Sequence, residues 1–238
     1  IDGLSSYPGR AEMGMSEGGI TALEEALRLH PVWINGGGEL PGPGGAVIAA
    51  ALAVASGLCR HVLCFRTVWQ STYAALGLGG GGGRASGSME YRAPFGAMSA
   101  ANWIGMNAHQ YMHRYGATKE LLGWIAVNAR ANAGLNPVAI YREPITMDDY
   151  MNARRITSPF GLYDCDVPCD ASIAVIVSDA SVALDLPNSA VRIESVGTQI
   201  LERISWDQGT VTHEPQVLGQ AAHLWTRSAL QPEDIDLA

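Results

Sequence analysis

The stretch Gly36-Gly37-Gly38-Glu39-Leu40-Pro41-Gly42-Pro43-Gly44-Gly45, running directly into Ala46-Val47-Ile48-Ala49-Ala50-Ala51-Leu52-Ala53-Val54-Ala55-Ser56-Gly57-Leu58, decides the fold. Its first part breaks the backbone twice, at Gly36 to Gly38 and at Pro41 to Gly45, because glycine admits conformations that other residues avoid and proline removes an N–H donor. Its second part, Ala46 to Leu58, is small and aliphatic on every face, and such a helix belongs in a core. Val32 to Asn35 reads as a short strand before it. His61-Val62-Leu63-Cys64-Phe65 reads as a buried strand after it, by its continuous apolar run. Strand, glycine turn, buried helix and buried strand together predict an α/β layered fold.

Outward from this centre the pattern continues. Ser16 to Leu29 predicts a helix with Ile20, Leu23, Ala26 and Leu27 on one face, stopped by Pro31. Gly77 to Gly87 is nearly all small residues and reads as a hinge. The run Gly79 to Gly83 lacks the Lys-Ser/Thr that would make it a phosphate loop. Asn102 to Tyr115 and Thr118 to Gly134 predict two helices joined at Gly116, with Thr118 as N-cap and Asn136-Pro137 as the stop. Thr146-Met147-Asp148-Asp149 resembles a capping box and opens a helix expected to reach about Arg155. Ser172 to Val177 and Val191 to Gly197 read as buried strands, and Gln216 to Ser228 as a last helix. Ile1-Asp2-Gly3-Leu4 is echoed by Ile235-Asp236-Leu237-Ala238. The echo predicts a chain that begins and ends at equivalent points of a duplicated unit, within a longer protein.

Composition bounds the function. Fifteen Lys and Arg against 23 Asp and Glu give a net charge of −8, which argues against nucleic acid as a partner. No segment has the roughly 18 uninterrupted apolar residues of a membrane span. Four cysteines in 238 residues are too few for a disulfide scaffold and favour a reducing, cytoplasmic setting.

In order along the chain, Ala55-Ser56-Gly57, Val62-Leu63-Cys64-Phe65, Tyr115-Gly116-Ala117-Thr118-Lys119-Glu120, Asn136-Pro137, Met147 to Arg155, Ser158-Pro159-Phe160 and Asp170-Ala171-Ser172-Ile173-Ala174-Val175-Ile176-Val177 resemble the thiolase superfamily. Within it the chain most resembles the sterol carrier protein X type thiolases and the actinobacterial lipid-transfer proteins, which include steroid side-chain aldolases. The resemblance implies a duplicated five-layer α-β-α-β-α fold with mixed sheets, an inserted loop domain, and most of the second half beyond the chain. The N-terminal half would take residues 1–66 and 161–190, the loop domain 67–160, and the start of the C-terminal half 191–238. It implies a homodimer.

The resemblance also locates a reaction centre. Family members that act through a cysteine carry it at the N-terminus of the buried helix, where backbone N–H groups and the helix dipole favour a thiolate. Counting back from Gly57 by the family's spacing reaches Leu40, an aliphatic residue. Its neighbour Glu39 is the one ionisable group beside that position and a candidate base if burial raises its pKa. Gly37 and Gly38 either form an oxyanion-type loop against the substrate or make a tight strand–helix connection. Trp103, Ile104 and Gly105 fall where many thiolases carry a His-Met-Gly pocket motif, and read either as acyl-pocket wall or as loop-domain core. Arg154 and Arg155 are candidates for the phosphates of coenzyme A, against an ordinary exposed role. His109 and His113, four apart on a helix, read as a packed or solvated face rather than a metal site. Cys165 and Cys169 lack the two-pair spacing of a zinc site, so no metal is expected.

An aliphatic residue at the nucleophile position points, through the resemblance, to a carbon–carbon lyase. It would cleave a bulky β-hydroxyacyl-CoA, steroid-derived in the lipid-transfer relatives, by a retro-aldol step without an acyl-enzyme. No cofactor is implied, since coenzyme A belongs to the substrate. A small partner subunit with an OB-fold and a zinc ribbon is implied. The base and the enolate-binding groups are expected in the second half. Two alternatives stand beside this: a thiolase or acyltransferase with an unconventional nucleophile, and a non-catalytic acyl-CoA or lipid binder.

Overall fold

Leu4, Val62 and Cys64, all but sealed from solvent, mark the centre of the fold. The structure, a computed structural model, describes residues 1–7, 19–36, 42–78, 85–87, 89–197 and 224–237. Contacts divide the chain into two units. One comprises Ile1–Gly82, Pro168–Leu201 and Leu218–Ala238, the other Gly83–Val167 and Glu202–Val217.

The first unit is built on a mixed sheet. Strand β1 (Gly3–Ser6) leads to helix α1 (Gly19–Leu27), strand β2 (Trp33–Gly36), helix α2 (Gly42–Ala55), strand β3 (His61–Trp69) and the short helix α3 (Gln70–Ala75). The sheet order is β2-β1-β3 and then the strand Asp170–Ser178. β1 runs parallel to both β2 and β3. The last strand runs antiparallel to β3, from His61 opposite Ser178 to Trp69 opposite Asp170. The crossover from β1 to β2 and the one from β2 to β3 step in opposite directions. Right-handed connections of that kind place α1 and α2 on opposite faces of the sheet. The core lies under α2, where Ala50, Ala53 and Val54 meet Cys59, Val62 and Cys64, with Trp33, Val47 and Val177 around them. Alanines on the buried side let the helix approach closely, and each buried valine contributes roughly 1.5–3 kcal/mol.

Helix α2 starts at Gly42, earlier than the expected Ala46. At the other end Leu58 N bonds to Ala53 O and Gly57 N to Val54 O, both at 3.0 Å, with Gly57 at φ +75°. This paired closure is why Gly57 ends the helix. β3 runs to Trp69 rather than Phe65, because the antiparallel partner offers ladder positions as far as Asp170. Three expectations are corrected. Ser172 to Val177 pairs as a strand, but as the edge strand of the sheet it is largely exposed instead of buried, with Ile173 at 70% and Ile176 at 60%. Val191 to Gly197 is irregular, and no strand pairs with it among the described residues. The helix from Thr146 ends at Met151 instead of Arg155, because Arg155 is already paired in a strand. Residues 16–18 and 216–223 of the expected helices lie outside the described residues.

The second unit is mostly helical. It contains α4 (Met89–Arg92), α5 (Ala100–Tyr115), α6 (Lys119–Leu135), α7 (Met147–Met151) and the pair β4 (Arg155–Thr157) and β5 (Phe160–Gly161); Asp170–Ser178 of the first unit is β6. Gly116, at φ +63°, turns α5 into α6. Thr146 opens α7 with the predicted box: its Oγ1 accepts from Asp149 N at 3.1 Å, and Asp149 Oδ2 accepts from Thr146 N at 2.8 Å. α6 and α7 cross at Gly123, where a Cβ would lie 2.5 Å from Met147 Sδ and 2.8 Å from Tyr150 Cδ1.

Candidate active site

The N-terminal turn of α2 is tied down by one row of side chains across the sheet. Ser5 stands opposite Asn35 in the β1–β2 register and opposite Cys64 in the β1–β3 register. Ser5 is fully buried. Its Oγ donates to the Ala46 carbonyl at 2.8 Å and accepts from Asn35 Nδ2 at 3.1 Å. Cys64 Sγ, a weak donor, approaches the same carbonyl at 3.9 Å. Gly37, Gly38, Glu39 and Leu40 lie outside the described residues. What the structure describes is therefore the anchoring of the turn that follows them.

The thiols bear on the chemistry. Burial pushes the Cys64 thiol up to about 11. Burial, with the Asp2 carboxylate behind it, raises Cys59. Burial, then Asp164 and Asp166, raises Cys165. A nucleophilic cysteine needs the opposite shift, toward thiolate near neutral pH.

In the second unit the candidate pocket residues sit on α5. Trp103 Nε1 donates to the Ala97 carbonyl at 2.9 Å, and the Arg92 guanidinium lies 4.6 Å from the ring centroid. Ile104 is half-buried. Gly105 is buried against the turn after β4, where a Cβ would meet the Ser158 carbonyl at 3.0 Å. His109 Nε2 and Ser158 Oγ share a hydrogen bond of 3.0 Å across the same contact. Among the described residues no group of three His, Cys, Asp or Glu could hold a metal ion.

Arg154 and Arg155 are both exposed. The Arg154 carbonyl accepts from Leu162 N at 2.9 Å, which fixes the backbone there. Behind them, buried Tyr150 donates its hydroxyl to Asp164 Oδ1 at 2.6 Å, and Asp164 Oδ2 accepts from Gly161 N at 2.6 Å. Burial first, then the bond to Asp164, pushes the Tyr150 phenol up, so it is a fixed donor. Between α5 and α6 a small recess of about 150 Å³, open to solvent, presents apolar surface from Tyr111, Met112, Leu121, Leu122 and Phe160. Sequence reasoning missed β1 and with it Ser5. The available signal was Ser5-Ser6 directly after Gly3-Leu4, two small polar residues where a central strand would otherwise be aliphatic.

No protein-family model matches the chain. The chain is 32% identical over its whole length to a steroid side-chain-cleaving aldolase of Thermomonospora curvata. It is also 32% identical over its whole length to a 17-hydroxy-3-oxo-4-pregnene-20-carboxyl-CoA lyase of Mycobacterium tuberculosis. It spans 62% and 63% of the length of these two relatives. Among solved structures it is similar to an Ltp2–ChsH2(DUF35) aldolase, with a TM-score of 0.78 and 28% identity, over 99% of this chain and 60% of that one. The described fold and these likenesses define a thiolase-like α/β protein. Over its whole length the chain is similar to the steroid side-chain aldolase and lyase branch of the thiolase-like proteins.

Proposed function

We propose that the chain is part of a coenzyme-A-dependent carbon–carbon lyase that cleaves a bulky β-hydroxyacyl-CoA by a retro-aldol step. One observation carries the reading: end-to-end likeness to an aldolase and a lyase, joined to Leu40 where the family's nucleophile would stand. In such a step a base takes the hydroxyl proton. A ketone or aldehyde forms as the Cα–Cβ bond breaks, and the electron pair passes to the thioester as an enolate. Protonation of the enolate releases the shortened acyl-CoA. No acyl group is transferred to the protein, so no thiolate is required. The raised pKa values of Cys59, Cys64 and Cys165 support this against a thiolase with a substitute nucleophile.

The names of the relatives support a steroid side chain as the acyl group. The solved relative pairs an aldolase with a DUF35 subunit, which supports a small partner for this chain too. Homodimerisation, the loop-domain boundaries at 67 and 160, a cytoplasmic setting and the substrate roles of Trp103, Ile104, Arg154 and Arg155 belong to the same proposal. Among the described residues no helix is long and apolar enough to cross a membrane.

The test uses the full-length protein, with and without a DUF35-type partner. Incubation with a β-hydroxyacyl-CoA is expected to release a ketone or aldehyde and a shortened acyl-CoA. Incubation with a β-ketoacyl-CoA and free coenzyme A is expected to give no thiolysis, and Leu40→Cys alone is not expected to create it. Thiolysis by the unaltered protein would overturn the lyase reading. Absence of any cleavage with either partner state would favour the non-catalytic binder.

A further inference from the structure

We infer that Ser5 and Asn35 are positioning residues for the reaction centre: the relay from Asn35 Nδ2 through Ser5 Oγ to the Ala46 carbonyl fixes the opening turns of α2 onto the sheet. The inference rests on the lyase reading, in which the substrate lies against the N-terminus of α2, where Leu40 takes the family's nucleophile position. It starts from an expense the fold does not require. Ser5 and Ser6 are the buried polar side chains of the described residues, and both lie in the central strand. A strand covered by a helix packs well with aliphatic residues, and a buried hydroxyl is tolerated only when its hydrogen bonds are made.

The hydrogen bonds of Ser5 are specific. They join three segments far apart in sequence: β1, the end of β2 at Asn35, and the start of α2 at Ala46. Asn35 is the last residue but one of β2, and Ala46 lies in the opening turns of α2. The relay therefore clamps both ends of the connection between strand and helix. The register sets Asn35, Ser5 and Cys64 side by side, so the bonds need no distortion of the sheet. Ala46 O is also an intrahelical acceptor at its place in α2. The added donor does not rescue an orphan group and serves to hold the helix in place. A rate that depends on groups at that helix end depends on this placement, because small misplacement of a reacting geometry is costly.

Neither residue is proposed to touch substrate. The test is amide hydrogen exchange on the full-length protein, read without substrate, together with steady-state kinetics. Ser5→Ala is expected to speed exchange across residues 42–50 by about tenfold, the loss of one buried hydrogen bond, with residues 100–135 unchanged. It is expected to lower kcat by about tenfold or more with KM nearly constant, since placement and not binding is lost. Asn35→Ala, at a half-buried site, should shift both readouts in the same direction by less, and it stands in if Ser5→Ala does not fold. Unchanged exchange at 42–50, exchange that rises evenly along the chain, or local loosening with unaltered kcat would overturn the inference. If the unaltered protein cleaves nothing, the lyase reading fails on its own. The exchange measurement still supports or overturns the clamp.

Discussion

Cys64 shows at a single residue how burial decides chemistry. Its thiol lies under the first turns of α2, 3% exposed, with its pKa pushed up to about 11 by burial. The unfolded thiol titrates near its ordinary value of about 8.5. Between those values the folded protein keeps a proton that the unfolded chain has lost. The stabilising contribution is thus complete below the lower value and disappears as pH rises through the upper one. Denaturant unfolding of the unaltered protein should therefore weaken more steeply from pH 8.5 to 11 than that of Cys64→Ala. A Cys64→Ala protein with the same alkaline slope would contradict the assignment. The same residue was legible in sequence only as part of an apolar run. Its neighbour in the row, Ser5, left only a faint signal, two small polar residues after Gly3-Leu4. A four-residue strand is too short to show an alternation, and its burial is imposed by β2, β3 and α2.

At the scale of elements, α6 and α7 depend on a missing side chain. Gly123 faces Met147 and the buried ring of Tyr150 at distances no Cβ could occupy. Gly123→Ala should therefore destabilise the protein by about 1–3 kcal/mol, the usual cost of overpacking. Helix propensity alone would favour alanine there by up to about 1 kcal/mol. A gain in thermal midpoint on that substitution would show that the α6–α7 contact is looser than described. The elements that sequence reasoning placed well are those whose signals are local. The Thr146–Asp149 box, the Gly116 turn and the Gly57 stop each act within one helical turn. The ends it misplaced are set by partners distant in sequence. β3 reaches Trp69 because β6 extends to Asp170, and α7 stops early because Arg155 to Thr157 pairs with β5. Val191 to Gly197 has the composition of a strand but no ladder to join among the described residues.

For the whole molecule, fold class was carried by the glycine-rich turn and the apolar helix after it, whose Ala50, Ala53 and Val54 are buried in the core while Leu52 is 60% exposed. The candidate site was legible only in outline. Leu40 marks where a nucleophile would stand, while the Asn35–Ser5–Ala46 clamp needed the β1–β2 register and the seat of α2 on it. The chain spans 62% and 63% of its two aldolase-type relatives, so the general base is sought in the complete protein. The proposed lyase would break its carbon–carbon bond without placing an acyl group on the protein. Intact-protein mass spectrometry of the full-length enzyme, quenched during turnover of a β-hydroxyacyl-CoA, tests it most directly. The expected result is an unmodified protein mass while ketone or aldehyde and shortened acyl-CoA appear in equal amounts. A protein mass raised by an acyl group, on Cys64 or any other cysteine, would contradict it.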